Sequence, residues 1–330
     1  MILLTIAIPT YNRARHLATL LQCLHDQVSA VGEAVQVLVS DNASTDETAE
    51  LLHEWQLRWP ALLTRRNDTN LGADGNFCAC IDSIDSRYFW IIGDDDLPKN
   101  GVIDKVLTML RTETPDLVYL RSEWVSQITG MAQGEPVTAL NVISLGQHDF
   151  ASEVHVWFTF VSGVVVHRDR LVSALGEHTV RRYAGTSLVQ LGWVYPVLAA
   201  GGKFLFVTNM CVLATKHNTG GYPLLTVFGV NFPRVTREAF AERPDLAGAI
   251  VSKAVSQYLP GLIWDSRRAP AGRFSGERPW PGIARELGER RLYRLLLVPI
   301  GRWPRWAARG VYATWRVINR LRRIASRPLQ

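Results

Sequence analysis

Apolar positions in the first 125 residues follow two periods that alternate along the chain. Leu3–Ile8 is a continuous apolar run, the pattern of a strand buried on both faces. Behind Pro9, the positions Leu17, Leu20, Leu21 and Leu24 recur at i, i+3, i+4 and i+7. That spacing predicts a helix with one inward stripe, opened by Thr10 or Asn12 as caps. Val35–Ser40 reads as a second strand. Ser44-Thr-Asp-Glu47 then reads as a capping box, ahead of a helix that turns Leu51, Leu52 and Trp55 inward. The alternation continues through a strand at Leu62–Arg66, a short helix at Gly75–Ile84, a strand at Tyr88–Ile92, a helix at Val102–Leu110 and a strand at Asp116–Leu120. Strand and helix in turn predict an α/β fold with a mostly parallel sheet, right-handed crossovers and helices on both faces.

From Gln127 to Phe150 the pattern lapses into loop. It returns as a helix near Ala151–Phe160, a strand at Ser162–His167, a helix near Ser187–Ala199 and a strand at Lys203–Val207. A Gly- and Pro-rich stretch, Arg267–Gly282, precedes a different pattern. There Val311, Trp315 and Ile318 fall on one side of a helix, and Arg309, Arg316, Arg320 and Arg323 on the other. The expected organisation is residues 1–126 and 127–264 as two halves of one α/β domain, with 265–330 as a basic amphipathic helical extension.

Charge makes that extension stand out. Residues 265–330 hold sixteen arginines against four acidic residues, a net +12, which leaves the rest of a chain of net +6 at −6. A basic, tryptophan-bearing amphipathic helix fits the anionic surface of a membrane, and nucleic acid is not expected as a partner. With 47% hydrophobic and 20% charged residues the chain is not disordered. Four scattered cysteines exclude a disulfide framework, and the lone pair Cys78 and Cys80 has no second pair to complete a zinc site. No apolar run approaches the roughly 18 residues of a membrane span. Met1 leads straight into the first strand without the basic segment of a secretory signal. These features together predict a cytoplasmic protein, peripheral on the inner face of the cell membrane.

Ligands of such sheets bind outside the carboxyl ends of the strands. That is where the polar clusters Thr10–Arg13, Asp41–Asp46, Arg66–Asn76 and Asp94–Asp96 fall. Asp94-Asp95-Asp96, directly after an apolar strand, is the sharpest of them. Three adjacent carboxylates repel one another and cost stability unless a cation neutralises them. Hard divalent cations such as Mg²⁺ favour carboxylate oxygens. On extended backbone Asp94 and Asp96 point the same way, and Asp95 points elsewhere.

Four motifs stand in order: Ile8-Pro-Thr-Tyr-Asn-Arg13, Val39-Ser-Asp-Asn-Ala-Ser-Thr-Asp46, Arg66-Asn67 with Asn70-Leu-Gly72, and Ile92-Gly-Asp-Asp-Asp-Leu97. The series resembles family 2 glycosyltransferases of the GT-A fold, most closely the bacterial O-antigen and surface-polysaccharide transferases of abequosyltransferase-like type. The resemblance covers roughly residues 1–230. It implies a Rossmann-like GT-A sheet, a nucleoside-diphosphate sugar donor and Mg²⁺ or Mn²⁺ as cofactor. Pro9, Tyr11 and Arg13 would line the base pocket, and Asp41 would accept a hydrogen bond from base or ribose with Asn67 beside it. Asn70 and Asn76 would bond the nucleotide or donor sugar. Asp94 would lie near the ribose, Asp96 would hold the metal together with Asp94, and Asp95 belongs to the same nucleotide-binding turn. Lys216 would pair with phosphate and His217 would complete the coordination shell. A cation suits the chemistry, because a departing diphosphate gains negative charge as the glycosyl bond breaks.

The resemblance leaves one gap. The family's Glu-Asp pair, which supplies the base that deprotonates the acceptor, has no counterpart in Gly185–Trp193. Of the titratable groups nearby, Asp149, Glu153, His155, Glu177 and His178, the expected base is Glu153 at a helix start. Trp157, Trp193 and Tyr222 are candidates to stack on sugars. The function expected is an inverting glycosyltransferase that moves a sugar onto a hydroxyl of a lipid-linked (polyprenyl diphosphate) glycan. The alternatives are a polyprenyl-phosphate sugar transferase, whose acceptor needs no base, and a catalytically silent nucleotide-sugar-binding scaffold.

Overall fold

The apolar run at the start of the chain forms strand β1, Leu4–Thr10, whose first five residues are buried. β2 (Val35–Asp41) and β4 (Tyr88–Ile91) flank β1 in parallel, and β3 (Leu63–Arg66) extends the array beyond β2. The computed structural model describes residues 2–126, 135–216, 223–268, 277 and 279–325, without the side chains of 322–325. Register decides what meets at the strand ends. Thr10 pairs with Asp41, and Ala7 pairs with Ile91, so the turn after β4 runs alongside Pro9 and Thr10.

The returning helices are α1 (Ala14–Ser29), α2 (Thr48–Arg58) and α3 (Gly72–Asp82). Leu17, Leu20, Leu21 and Leu24 of α1 are fully buried, as their spacing predicts. The caps differ from expectation. The Thr10 hydroxyl donates to Asp94 instead of capping α1, and Asn12 Oδ1 accepts the Thr45 N–H. The Ala14 N–H donates to Asp46 Oδ2, while Asp46 Oδ1 accepts both the N–H and the hydroxyl of Thr48. The predicted Ser44–Glu47 box is therefore replaced. Asp46 holds the starts of α1 and α2 at once, and the Ser44 hydroxyl accepts the Asn12 N–H.

The second half adds β5 (Leu97–Pro98), α4 (Val102–Glu113), β6 (Leu117–Val125), β7 (Val142–Leu145), α5 (Gln147–Val154), β8 (Val164–His167), α6 (Arg168–Leu175), α7 (Leu191–Ala200) and β9 (Phe204–Thr215). The strands join one sheet in the order β3-β2-β1-β4-β8-β6-β9-β5, with β7 also on β9. This half is mixed, which corrects the mostly parallel sheet expected. β8 runs antiparallel to both β4 and β6, and β9 runs parallel to β6. β9 is long and shifts register opposite Leu120–Ser122, so its two ends serve different partners: Phe204–Val207 pairs with β7, and Val212–Leu213 with β5.

The chain divides into two compact units, Met1–Phe150 with Trp157–Asn218, and Ala151–Val156 with Thr219–Gln330. The sheet lies wholly in the first. The division falls near residue 218, upstream of the 264/265 boundary expected. The second unit is helical, with Phe232, Phe240, Leu246, Ile250, Val251, Ile263 and Ile300 in its core. Its last helix, Arg305–Ala325, sits in it differently from the two-faced pattern read from sequence. Trp315 is not an outward residue. Its indole N–H donates to the Ser256 carbonyl at 2.6 Å, and its ring stacks on Tyr312, which stacks in turn on Trp264. Ala308 and Asn319 are buried on the same side. A second apolar row, Trp306, Val317 and Leu321, faces out, with Trp306 81% exposed. These three positions share one helix face, with Arg309, Arg316 and Arg320 along its edge. No described helix is long and apolar enough to cross a membrane.

Candidate active site

The turn Gly93–Asp96 occupies the carboxyl edge of the sheet and is held from both sides. On the side of β1, the Thr10 hydroxyl donates to Asp94 Oδ2 at 2.8 Å, and Arg13 Nη1 lies 3.0 Å from Asp94 Oδ1 and 3.4 Å from Asp95 Oδ1. On the side of β8, the Ser162 hydroxyl donates to Asp96 Oδ2 at 2.6 Å and accepts the Gly93 N–H. From β9, the Thr215 hydroxyl donates to the Asp95 carbonyl at 3.0 Å. Asp94 and Asp96 are both buried. Burial pushes the Asp94 carboxyl up to about 6, with Arg13 opposing and Asp95 adding to the rise. Burial and the Asp95 charge push Asp96 up to about 8, against the Ser162 hydrogen bond.

Negative charge is thus concentrated where burial makes it costly, and Arg13 is the one cation paired with it among the described residues. This donor set fits a divalent cation. Two hard carboxylates stand on one turn, matching the one or two protein ligands that Mg²⁺ takes when phosphate oxygens supply the rest. No cluster of three or more His, Cys, Asp or Glu side chains gathers into a complete cage among the described residues. His217, expected to complete the shell, lies outside the described residues, as does Tyr222. Lys216 is exposed, in the turn after β9, and donates its backbone N–H to the Val125 carbonyl.

Asp41 closes β2, buried, and its carboxylate is engaged from within. Its Oδ1 accepts the Ser44 N–H and its Oδ2 pairs with Arg66, which also donates to the Ser44 carbonyl. Pro9 is half-buried in β1, and Tyr11 is 41% exposed just beyond it. Tyr11 is thus an exposed aromatic residue at the carboxyl edge of the sheet.

The asparagines are placed otherwise than the resemblance implies. Asn76 is buried, and its amide is consumed internally: Oδ1 accepts from the Ser40 hydroxyl and from Asn67, and Nδ2 donates to the carbonyls of Thr10 and Ser40. Asn67 Nδ2 also donates to Asn42 Oδ1, and Asn42 Nδ2 donates to Asn70 Oδ1. Asn70 Oδ1 further accepts the Gly72 N–H. Asn67, Asn70 and Asn76, with Asn42, therefore lock the loop before α3 to the ends of β1 and β2. Asn67 and Asn76 are saturated by these bonds and act as positioning residues, whereas Asn70 is exposed and its bonds are made through Oδ1.

Glu153 is exposed on α5 and falls in the second unit. His155 is buried and pushed down to about 3 by that burial and by Lys253. Trp193 is buried against Phe77, which leaves no face for a sugar. A carboxylate missed in the sequence does reach the segment that lacks the Glu-Asp pair. Asp74, in the first turn of α3, accepts the Gly185 N–H at 2.7 Å, and burial raises its pKa, opposed by backbone hydrogen bonds from Gly185 and Ser187. Thr10, Ser162 and Thr215 were also missed, because only the register brings them to the turn.

Residues 5–131 match the family model described as Glycosyl transferase family 2. A stretch of 95 residues is 39% identical to abequosyltransferase RfbV of Salmonella typhimurium strain LT2, covering 28% of this chain and 28% of that protein. The match thus spans under a third of that relative's length. Two solved proteins are similar along nearly the whole chain. Residues 1–349 of TarS from S. aureus, in complex with UDP-GlcNAc, give a TM-score of 0.62 at 14% identity, covering 98% of this chain and 92% of that one. The mannosyltransferase PcManGT from Pyrobaculum calidifontis, in complex with GDP-Man and Mn²⁺, gives 0.51 at 14% identity, covering 96% and 86%. Likeness at such identity is one of fold, and the fold is that of GT-A glycosyltransferases.

Proposed function

We propose that this chain is an inverting, metal-dependent glycosyltransferase of surface-polysaccharide synthesis. It would transfer a sugar from a nucleoside-diphosphate sugar to a hydroxyl of a lipid-linked glycan. The observation that carries the reading is the buried Asp94–Asp96 turn, with two carboxyls raised by burial at the carboxyl edge of a GT-A sheet. The family match over residues 5–131 and the folds of TarS and PcManGT support it.

Asp96 and Asp94 would hold Mg²⁺ or Mn²⁺, which when bound neutralises charge on the departing diphosphate. Thr10 and Ser162 orient these carboxylates from opposite sides. Arg13 balances Asp94 and Asp95 before a nucleotide arrives. Tyr11 gives the base a ring to stack on, and Arg66 fixes Asp41 beside it. Asp74, which accepts the Gly185 N–H in the segment where the family carries its base, would take the proton from the acceptor hydroxyl. A base at Asp74 removes the main reason to prefer a phosphate acceptor.

The acceptor is a lipid, and the protein meets it at the inner face of the cytoplasmic membrane. Supporting this is the outward row Trp306, Val317 and Leu321, edged by exposed Arg309, Arg316 and Arg320. Apolar side chains beside exposed positive charge suit an anionic lipid surface.

The test is a melting screen of UDP-, GDP-, CDP- and dTDP-sugars with Mn²⁺. Ligand at 100 times its Kd adds about 2.7 kcal/mol, a shift of several degrees in a protein of this size. One nucleotide should give such a shift in the wild type and none in Asp96→Ala. No shift with any nucleotide, or an undiminished one in Asp96→Ala, overturns the reading.

A further inference from the structure

The tryptophans of the first unit divide into two groups. Trp55, Trp59, Trp90 and Trp193 are buried in its core. Trp124 and Trp157 are not: Trp124 is 38% exposed and Trp157 half-buried, and together with half-buried Phe160 they form a surface cluster. The Trp124 ring lies 5.0 Å from that of Phe160 and 5.9 Å from that of Trp157, both tilted. Its strand explains the exposure. Leu117–Leu120 of β6 are buried in the sheet, and the strand then continues outward from Arg121.

Topology places this cluster beside the acidic turn. β6 is antiparallel to β8, which is antiparallel to β4, so β6 ends at the same edge as β4. Trp124 pairs with Ala214 of β9, and the next residue, Thr215, donates to the Asp95 carbonyl. On the other flank, Phe160 stands two residues before Ser162, which donates to Asp96. Thus the aromatic ledge is fastened to the triplet by two short links. In the sheet order Tyr11 and Asp41, at the ends of β1 and β2, lie on one side of β4, and Trp124 lies on the other. A nucleotide on Tyr11 would lie across β4 from the ledge.

We infer that the Trp124–Trp157–Phe160 ledge is a carbohydrate subsite that receives a pyranose ring of the acceptor glycan. Indole rings offer wide apolar faces with a polar N–H at the rim, which suits a sugar ring with a C–H face and hydroxyl edges. The nucleotide side, the acidic turn and the ledge then lie in sequence along one edge, so that a donor sugar held between the turn and the ledge would have its departing diphosphate on one side and the acceptor on the other. The assignment rests on the transferase reading above and adds a residue class to it.

The experiment uses the full-length protein with Mn²⁺ and saturation-transfer NMR. The probes are methyl glycosides of hexoses, 6-deoxyhexoses and N-acetylhexosamines. At least one should receive saturation at its ring C–H protons in the wild type. Its binding should weaken about tenfold or more in Trp124→Ala and survive in Trp124→Phe, which keeps a stacking face. Melting temperature and nucleotide-sugar binding should match the wild type in both variants. Overturning results are no saturation of any glycoside in the wild type, or equal binding in Trp124→Ala. A parallel loss of folding and sugar-nucleotide binding in Trp124→Ala, with glycoside binding absent from Trp124→Phe as well, would make the ledge structural and overturn the assignment too. Glycoside binding without any nucleotide-sugar binding would instead keep the subsite and overturn the transferase reading.

Discussion

At the residue scale, the burial of Asp94 and Asp96 sets a pH dependence whose sign is fixed. An acid raised from the ordinary 3.8 to about 6 or about 8 favours the folded state when protonated. Their contribution is fully present below about pH 4 and lost as pH rises toward about 8. Metal-free protein should therefore melt lower at pH 8 than at pH 5, and Asp96→Asn should be more stable than the wild type at pH 8 by about 1–3 kcal/mol. Added Mn²⁺ should stabilise the wild type increasingly as pH rises, because ligating carboxylates must be deprotonated. A wild type insensitive to Mn²⁺ at pH 8 contradicts the assigned cation site. The base is a second question at this scale. Asp74→Asn should cut turnover about 100-fold or more with nucleotide-sugar binding retained, and Glu153→Gln should leave turnover near wild type. The reverse pattern in a turnover assay would return the role to Glu153. The triplet was legible in the sequence because three adjacent carboxylates begin three residues past a four-residue buried strand. Asp74 was not, because its partner Gly185 is 111 residues away.

Elements tell a similar story with a different cause. Each parallel strand and returning helix as far as α4 was legible, because every one carries its own period within a dozen residues. The antiparallel entry of β8, the pairing of β7 and the register shift of β9 depend on neighbours far along the chain, which no local period reports. The strand read as ending at Leu120 in fact runs to Val125, and that extension carries Trp124 to the carboxyl edge of the sheet. Caps failed for a related reason. The four-residue signature Ser44–Glu47 is satisfied by the sequence, yet Asp46 captures three donors from two helix starts. Asp46→Ala should accordingly destabilise the protein by about 1–2 kcal/mol, and Glu47→Ala should change little. Equal effects in urea unfolding would restore the capping box. Because Asp46 joins α1 to α2 directly behind Arg13 and Asp41, its loss should also weaken nucleotide binding.

For the whole molecule, the distribution of charge is decisive. A chain with −6 over its first 264 residues and +12 over the remainder presents a strong dipole to its surroundings. The sequence located the basic amphipathic helix but assigned its apolar face wrongly. A helical period shows which residues share a side, and a helix with two apolar rows leaves open which of them the protein itself covers. Trp315 belongs to the covered row and Trp306 to the open one. The two rows can therefore be separated by mutation. Trp306→Ser with Val317→Ser and Leu321→Ser should leave the melting temperature unchanged and abolish co-sedimentation with vesicles of phosphatidylglycerol and phosphatidylcholine in equal parts. Trp315→Ala, in contrast, removes a stacked and hydrogen-bonded ring and should cost about 3 kcal/mol of stability. Binding of the wild type should fall as salt rises, because arginines contribute through screened charge. Binding that persisted in the triple variant would place the lipid contact elsewhere, and salt-independent binding would remove the arginines from it. On the proposed function, an outward face of this kind would hold the protein at the bilayer without a membrane-crossing helix among its described residues. Its acceptor, confined to two dimensions, would then be met by diffusion along the surface rather than through solution.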